Sequence, residues 1–112
     1  FYIDNGKHLI LGPFAGKVAC ETINYNSGVC GYAYRHKKSV IVEDVSLFPG
    51  HIACDDLTNS ELVLPVYDKN NTLFALLDLD SYEFDYFDSE DEHYLKVILN
   101  MIKKYLDKGV IL

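Results

Sequence analysis

Two apolar runs, Leu62–Val66 and Leu73–Leu79, are joined by the polar stretch Asp68-Lys69-Asn70-Asn71. A connection this short pairs its flanking strands antiparallel, because parallel neighbours need a crossover of about a dozen residues or more. The rest of the chain has to cover this hairpin. Asn5-Gly6, between Phe1–Asp4 and His8–Leu11, predicts a second hairpin with a tight primed turn. Lys17–Ile23 reads as a further strand, carrying Cys20, and Val40-Ile41-Val42 as another. Val29–Tyr34 opens a short helix, with Ser27 as its N-cap and Arg35 to Lys38 near its C-terminus. The last element is a helix capped by Asp88, with Asp91 three residues on. Its apolar stripe is Leu95, Ile98, Ile102 and Leu106, widened by Tyr94, Met101 and Tyr105; Lys103, Lys104 and Lys108 crowd its far end and Gly109 can stop it. This order predicts one α+β domain over residues 1–112, an antiparallel sheet with helices against one face.

The chain has 112 residues and a net charge of −7. The acidic balance argues against nucleic acid and anionic membranes, which call for a basic face. No apolar run approaches the roughly 20 residues that span a bilayer. Phe1-Tyr2-Ile3-Asp4 reads as the middle of a strand and not as a signal peptide, so the natural chain is expected to begin earlier. Three cysteines, Cys20, Cys30 and Cys54, fit a reducing cytoplasm rather than a disulfide scaffold.

Phe48–Glu61 is long for a connection between strands. It holds Cys54, His51 and three carboxylates, Asp55, Asp56 and Glu61. His51 can stabilise a thiolate at Cys54, while Asp55 and Asp56 oppose it. Cys20, after Val18-Ala19, reads as a small buried hydrophobe. Cys30, between Gly28 and Gly31 near a helix start, is placed where backbone amides favour a thiolate. Asp78-Leu79-Asp80 closes an apolar strand, and alternation puts Asp78 and Asp80 on one face. Glu61 lies across the hairpin from Asp80. Three carboxylates therefore converge beside the Cys54 loop, unless they form a solvated strand end. Buried together, at least one would keep a proton near neutrality. A thiol beside a protonated acid can attack an electrophile while the acid protonates a leaving oxygen, and a second thiol can then close a disulfide. Cys20, Cys30, Cys54 and His51 are also metal-ligand types, but their spacing matches no zinc template. His8, His36 and His93 read as surface residues.

Several segments together resemble the free methionine-(R)-sulfoxide reductases, which are stand-alone GAF-fold domains. They are Leu9–Phe14, Gly28-Val29-Cys30-Gly31, Phe48–Asp55, Asn59-Ser60-Glu61 and Leu77–Ser81, with Phe1-Tyr2 and Phe87-Asp88 at the ends. The resemblance implies reduction of free L-methionine (R)-sulfoxide to methionine with no metal or organic cofactor. It implies that Cys54 is the nucleophile and that Cys20 resolves its sulfenic acid as a disulfide. Cys30 is the third family cysteine, with a resolving or nucleophilic part left open. Glu61, Asp78 and Asp80 match the acidic residues that bind the substrate and assist loss of its oxygen, and Tyr2 matches a pocket aromatic. Thioredoxin or a similar dithiol would return the electrons; a homodimer is compatible with the sequence. Two departures stand out. The N-terminal helix and the pocket tryptophan of that family are expected before Phe1, and Ala75 stands where the family usually has Gly. A sensing module that binds a small molecule without catalysis, and a structural zinc domain, are the competing readings.

Overall fold

In the computed structural model, which describes residues 1–17, 20–52, 54 and 57–107, the chain runs β1 (Tyr2–Asp4), β2 (Leu9–Leu11), β3 (Thr22–Ile23), α1 (Gly28–His36), β4 (Val40–Val42), β5 (Ser60–Tyr67), β6 (Leu73–Ser81) and α2 (Ser89–Ile102). The strands form one six-stranded sheet in the order β3-β2-β1-β6-β5-β4. Every pairing in it is antiparallel. The β5–β6 hairpin is its centre. Its turn is held by the buried Asp68 carboxylate, which accepts from Asn70 N (2.8 Å) and Thr72 N (3.0 Å).

Alternation along β5 sends consecutive side chains to opposite faces, and both faces are covered. On one side Val63 packs with Tyr2, Leu9, Leu76 and the α1 residues Val29, Cys30 and Ala33. On the other, Leu62, Leu64 and Val66 meet Phe87, Leu95, Leu99, Ile102 and Leu106. The helices thus flank the sheet on opposite faces, not on one as the element order suggested. Leu62, Val63 and Leu64 are all fully buried, so the middle of β5 is covered on both faces, while Pro65 and Tyr67 towards its end are partly exposed.

The N-terminal hairpin forms, but through four residues, since Asp4 pairs with Leu9. Only Gly6 has a positive φ there, and Asn5 Oδ1 accepts from the amides of Lys7 and His8 in place of a primed turn. The third strand is shorter than expected, Thr22–Ile23 alone; Cys20 lies before it, and Val18 and Ala19 lie outside the described residues. Asp4 accepts hydrogen bonds from Tyr25 and from Tyr34 (2.6 Å), tying α1 to β1 through two stacked rings.

Asp88 caps α2 as expected, accepting from Glu90 N and Asp91 N while Asp91 returns a bond to Asp88 N. The packed stripe, however, is Leu95, Leu99, Ile102 and Leu106. Ile98, Tyr94, Met101 and Tyr105 are exposed: spacings of three and four are both helical, and the sheet covers the line through Leu95, Leu99 and Ile102 and not the one through Ile98. The helix ends earlier than the expected stop at Lys108-Gly109: α2 closes at Ile102, a 3-10 turn runs over Lys103–Tyr105, and Leu106 is already extended. Ala75 is buried with Val66 and Leu106, where its methyl group has a packing role.

Leu64→Ala is expected to lower unfolding stability by about 2–5 kcal/mol, and Asp88→Ala by about 1 kcal/mol. Urea denaturation of the two variants against the parent measures both, and a loss at Asp88 equal to that at Leu64 would contradict this division between core and cap.

Candidate active site

The β5–β6 register places Glu61 opposite Asp80 and Val63 opposite Asp78. Glu61, Asp78 and Asp80 therefore share the face covered by α1, at the open end of the hairpin. They do not share an environment. Glu61 is buried, Asp78 is largely so, and Asp80 is exposed at the rim. All three line one cavity with Tyr2, Cys30, His51, Cys54 and Thr58. The first turn of α1 supplies Gly28 and Val29 to the wall, and Ile23 and Ile52 make it apolar.

Cys20 and Cys54, 34 residues apart in sequence, are joined by a disulfide with their Cα atoms 5.2 Å apart. Tyr2, on β1, donates its hydroxyl to the carbonyl oxygen of Cys20 (2.9 Å) and so fixes this irregular stretch against the sheet. Cys30 is a free thiol and is buried. Asp55 and Asp56 lie outside the described residues, as does Ala53.

One Sγ of Cys30 and one oxygen each from Glu61 and Asp78 lie within 4.8 Å of one another. Burial pushes the Glu61 carboxyl well above the usual carboxylate range, and the neighbouring charge of Asp78 adds to this. Burial also raises Asp78, opposed by hydrogen bonds from Glu61 and Cys30 and by the Phe1 amino group and His51. Two carboxylates this close and this dry hold a proton between them. The Cys30 thiol is pushed well up as well, by burial first and then by Asp78, Glu61 and Asp80. The expectation of a thiolate at Cys30 is therefore corrected. The helix terminus offers about half a positive charge, which desolvation and nearby full negative charges outweigh. Cys30 is a thiol donor to Asp78, not a thiolate.

The metal set drawn from the sequence is not what the fold assembles. Cys20 and Cys54 are bonded to each other, and the close group of ligand types among the described residues is Cys30, Glu61 and Asp78. His8 is half-buried at the surface, and His36 and His93 are exposed as expected. Thr58, buried in the cavity wall, was not singled out by sequence; nothing in its loop distinguishes it from Asn59. Gly28 and Val29, at the helix start expected beside Cys30, do line the cavity. Asp78 Oδ1 and His51 Nδ1 are buried with no hydrogen-bond partner among the described residues.

The GAF domain family model matches residues 1–106. The chain is 41% identical to the free methionine-R-sulfoxide reductase of Saccharomyces cerevisiae over 107 residues, covering 93% of this chain and 59% of that protein. It is 44% identical to the free methionine-R-sulfoxide reductase of Escherichia coli over 106 residues, covering 95% of this chain and 64% of that protein. The chain thus spans less than two thirds of the length of these relatives. Among solved structures, the free methionine-R-sulfoxide reductase of Neisseria meningitidis in complex with its substrate matches with a TM-score of 0.86 at 36% identity, covering 91% of this chain and 62% of that chain.

A carboxyl whose pKa rises on folding stabilises the folded state below its ordinary value, and that contribution is lost as pH climbs through the folded value. Glu61→Gln removes the ionisable group but keeps its shape. The variant is expected to gain stability over the parent as pH rises from 5 to 8. Thermal melts across that range measure the gap, and a gap that closes or reverses with rising pH would contradict the assignment.

Proposed function

The chain belongs to the GAF domain family, and from that premise we propose that it serves a thiol-dependent reduction of free L-methionine (R)-sulfoxide to methionine. The observation that carries the reading is the Cys20–Cys54 disulfide closed beside a cavity whose wall holds the proton-sharing Glu61–Asp78 pair. The likeness to reductases that bear this name supports it.

In the proposed cycle the dithiol form binds the sulfoxide. The Cys54 thiolate attacks the sulfoxide sulfur while the Glu61–Asp78 pair protonates the oxygen, which is otherwise a poor leaving group. The oxygen passes to Cys54 as a sulfenic acid, and methionine leaves with its sulfur reduced by two electrons. The Cys20 thiolate then attacks the Cys54 sulfur. Water departs and the disulfide forms. A dithiol protein of the thioredoxin kind returns the two electrons by exchange with that disulfide. Cys30, protonated and bound to Asp78, supports the acid pair in this scheme. Asp80, at the rim, adds negative potential that attracts the substrate ammonium. Residues 1–112 act as a single GAF unit, and a cytoplasmic site suits a cycle that needs a reducing dithiol.

Cys54→Ser is expected to abolish turnover, measured as sulfoxide loss with thioredoxin and its reductase. Cys20→Ser is expected to lose thioredoxin-dependent cycling but retain a single turnover. Asp78→Asn is expected to lower kcat by about 10²–10⁴-fold. Turnover by Cys54→Ser at the parent rate would sink the assignment of the nucleophile. Binding of the sulfoxide with no turnover by the reduced, unmodified protein would favour a sensing module.

A further inference from the structure

β4 is the edge strand of the sheet, and it pairs with β5 only as far as Val40 opposite Val63. Beyond Val63, β5 therefore has no strand beside it on that side among the described residues. The chain turns there from α1 into β4. Lys37 makes the turn as the C-cap of α1, in the left-handed conformation. From the opposite face of the sheet, α2 and the turn Lys103–Tyr105 reach the same edge. Between these elements lies a second cavity, of about 340 Å³. That is within the range of roughly 300–1,000 Å³ usual for small-molecule sites.

Its wall is basic in an acidic protein. Lys37 and Lys38 come from the turn after α1, Lys96 from α2 and Lys103 from the turn beyond α2. Four of the chain's 10 Lys and Arg residues thus line one hollow, although the net charge is −7. No Asp or Glu lines it among the described residues. Ser39 and Asn100 add neutral donors, and Pro65, Tyr67 and Leu99 supply the apolar part of the wall. The ammonium groups are weakly engaged. Lys96 pairs with Glu92 at 2.8 Å on a solvated helix surface, where such a pair is worth little. Lys103 donates to the neutral Asn71 side chain (2.6 Å) and lies 5.9 Å from the centre of the Tyr67 ring. Lys38 lies 5.6 Å from the centre of the Tyr32 ring. Among the described residues, Lys37, Lys38 and Lys103 form no ion pair with a carboxylate.

Proline and lysine commonly guard a free sheet edge, and lysines suit the negative end of α1. Neither role requires helices on opposite faces of the sheet to send like charges into one hollow, where they repel. We propose that this cavity binds a small soluble anion carrying two or more phosphate groups. Lys37 and Lys38 hold one end of it and Lys96 and Lys103 the other. Lysine binds phosphate as a point charge with three donors, and two pairs entering from opposite sides call for two charged groups. A long polyanion or an anionic membrane would meet the whole acidic surface. A small anion is governed by charges within a screening length of about 8 Å. The cavity shares no lining residue with the one beside the disulfide, so the site stands apart from the reductase reading.

Calorimetric titration of the protein with inorganic pyrophosphate, against orthophosphate at the same ionic strength, tests the proposal. Saturable one-to-one binding of pyrophosphate is expected, tighter than that of orthophosphate by about tenfold or more, as suits charge-assisted bonds at both ends. Lys37→Gln and Lys103→Gln are each expected to weaken it by about fivefold or more, and Lys69→Gln and Lys104→Gln, outside the cavity, to leave it unchanged. Amide nuclear magnetic resonance spectra give a second readout, with pyrophosphate-induced shifts expected to centre on Ser39, Tyr67 and Asn100. Absence of saturable binding would overturn the site and leave the lysines as guards of the edge. Equal affinity for the two anions, equal losses in the control variants, or shifts centred on the disulfide cavity would overturn it too. Co-sedimentation with phosphatidic acid vesicles, weakened by Lys37→Gln and without pyrophosphate binding, would place the phosphate on a lipid and overturn the soluble ligand.

Discussion

The antiparallel register of β5 with β6 is the constraint on which the rest depends. It buries Leu62, Val63 and Leu64 between two helices, and so makes the sheet the centre of the molecule. The same register aligns Glu61 and Val63 with Asp80 and Asp78. A slip of one residue would send the carboxylates to the α2 face and leave the α1 cavity without an acid. Stability and chemistry are thus set by one pairing. Bulk apolar burial on both faces, at about 25 cal/mol per Å² of area removed from water, outweighs the cost of placing two acids at the end of the strands.

That cost is reduced by sharing. Glu61, Asp78 and Cys30 lie close enough to share the carboxyl proton and the thiol hydrogen within one buried group, with Asp78 Oδ1 left without a partner among the described residues. Cys30 does this from the first turn of α1, and α1 is held in turn by Tyr25 and Tyr34 on Asp4. The hydrogen-bonded tyrosines, the helix and the acid pair form one connected body. Against it stands a loop that carries Cys54 and meets Cys20, itself in irregular structure beside Tyr2. In the proposed cycle the thiols of Cys20 and Cys54 change partners while the acids stay on the sheet.

Much of this was legible beforehand. The two hairpins, the short helix, β4 and the capped last helix follow from turn residues, β-branched runs and the Asp88–Asp91 pair. The shared face of Asp78 and Asp80 follows from alternation, and the nearness of Glu61 from the hairpin. The family likeness added the pairing of Cys20 with Cys54. What was misread has a common cause. Ile98 was put in the buried stripe because spacing of three and four are both helical, and only the sheet selects which line of residues it covers. Cys30 was read as a thiolate from its position on the helix, because the carboxylates it faces lie 31 and 48 residues further along the chain.

The sequence by itself determined the elements, the antiparallel pairing and the face on which the acids lie, because periodicity, turn chemistry and alternation are local. Only the tertiary structure decided which side each helix takes, which acids are dry and which are wet, and what the helix terminus meets. Glu61 and Asp80 are directly opposed in the register, yet one is buried and the other exposed. Their protonation depends on solvent access and on charges brought in from distant segments, and neither is a property of the residue's neighbours along the chain.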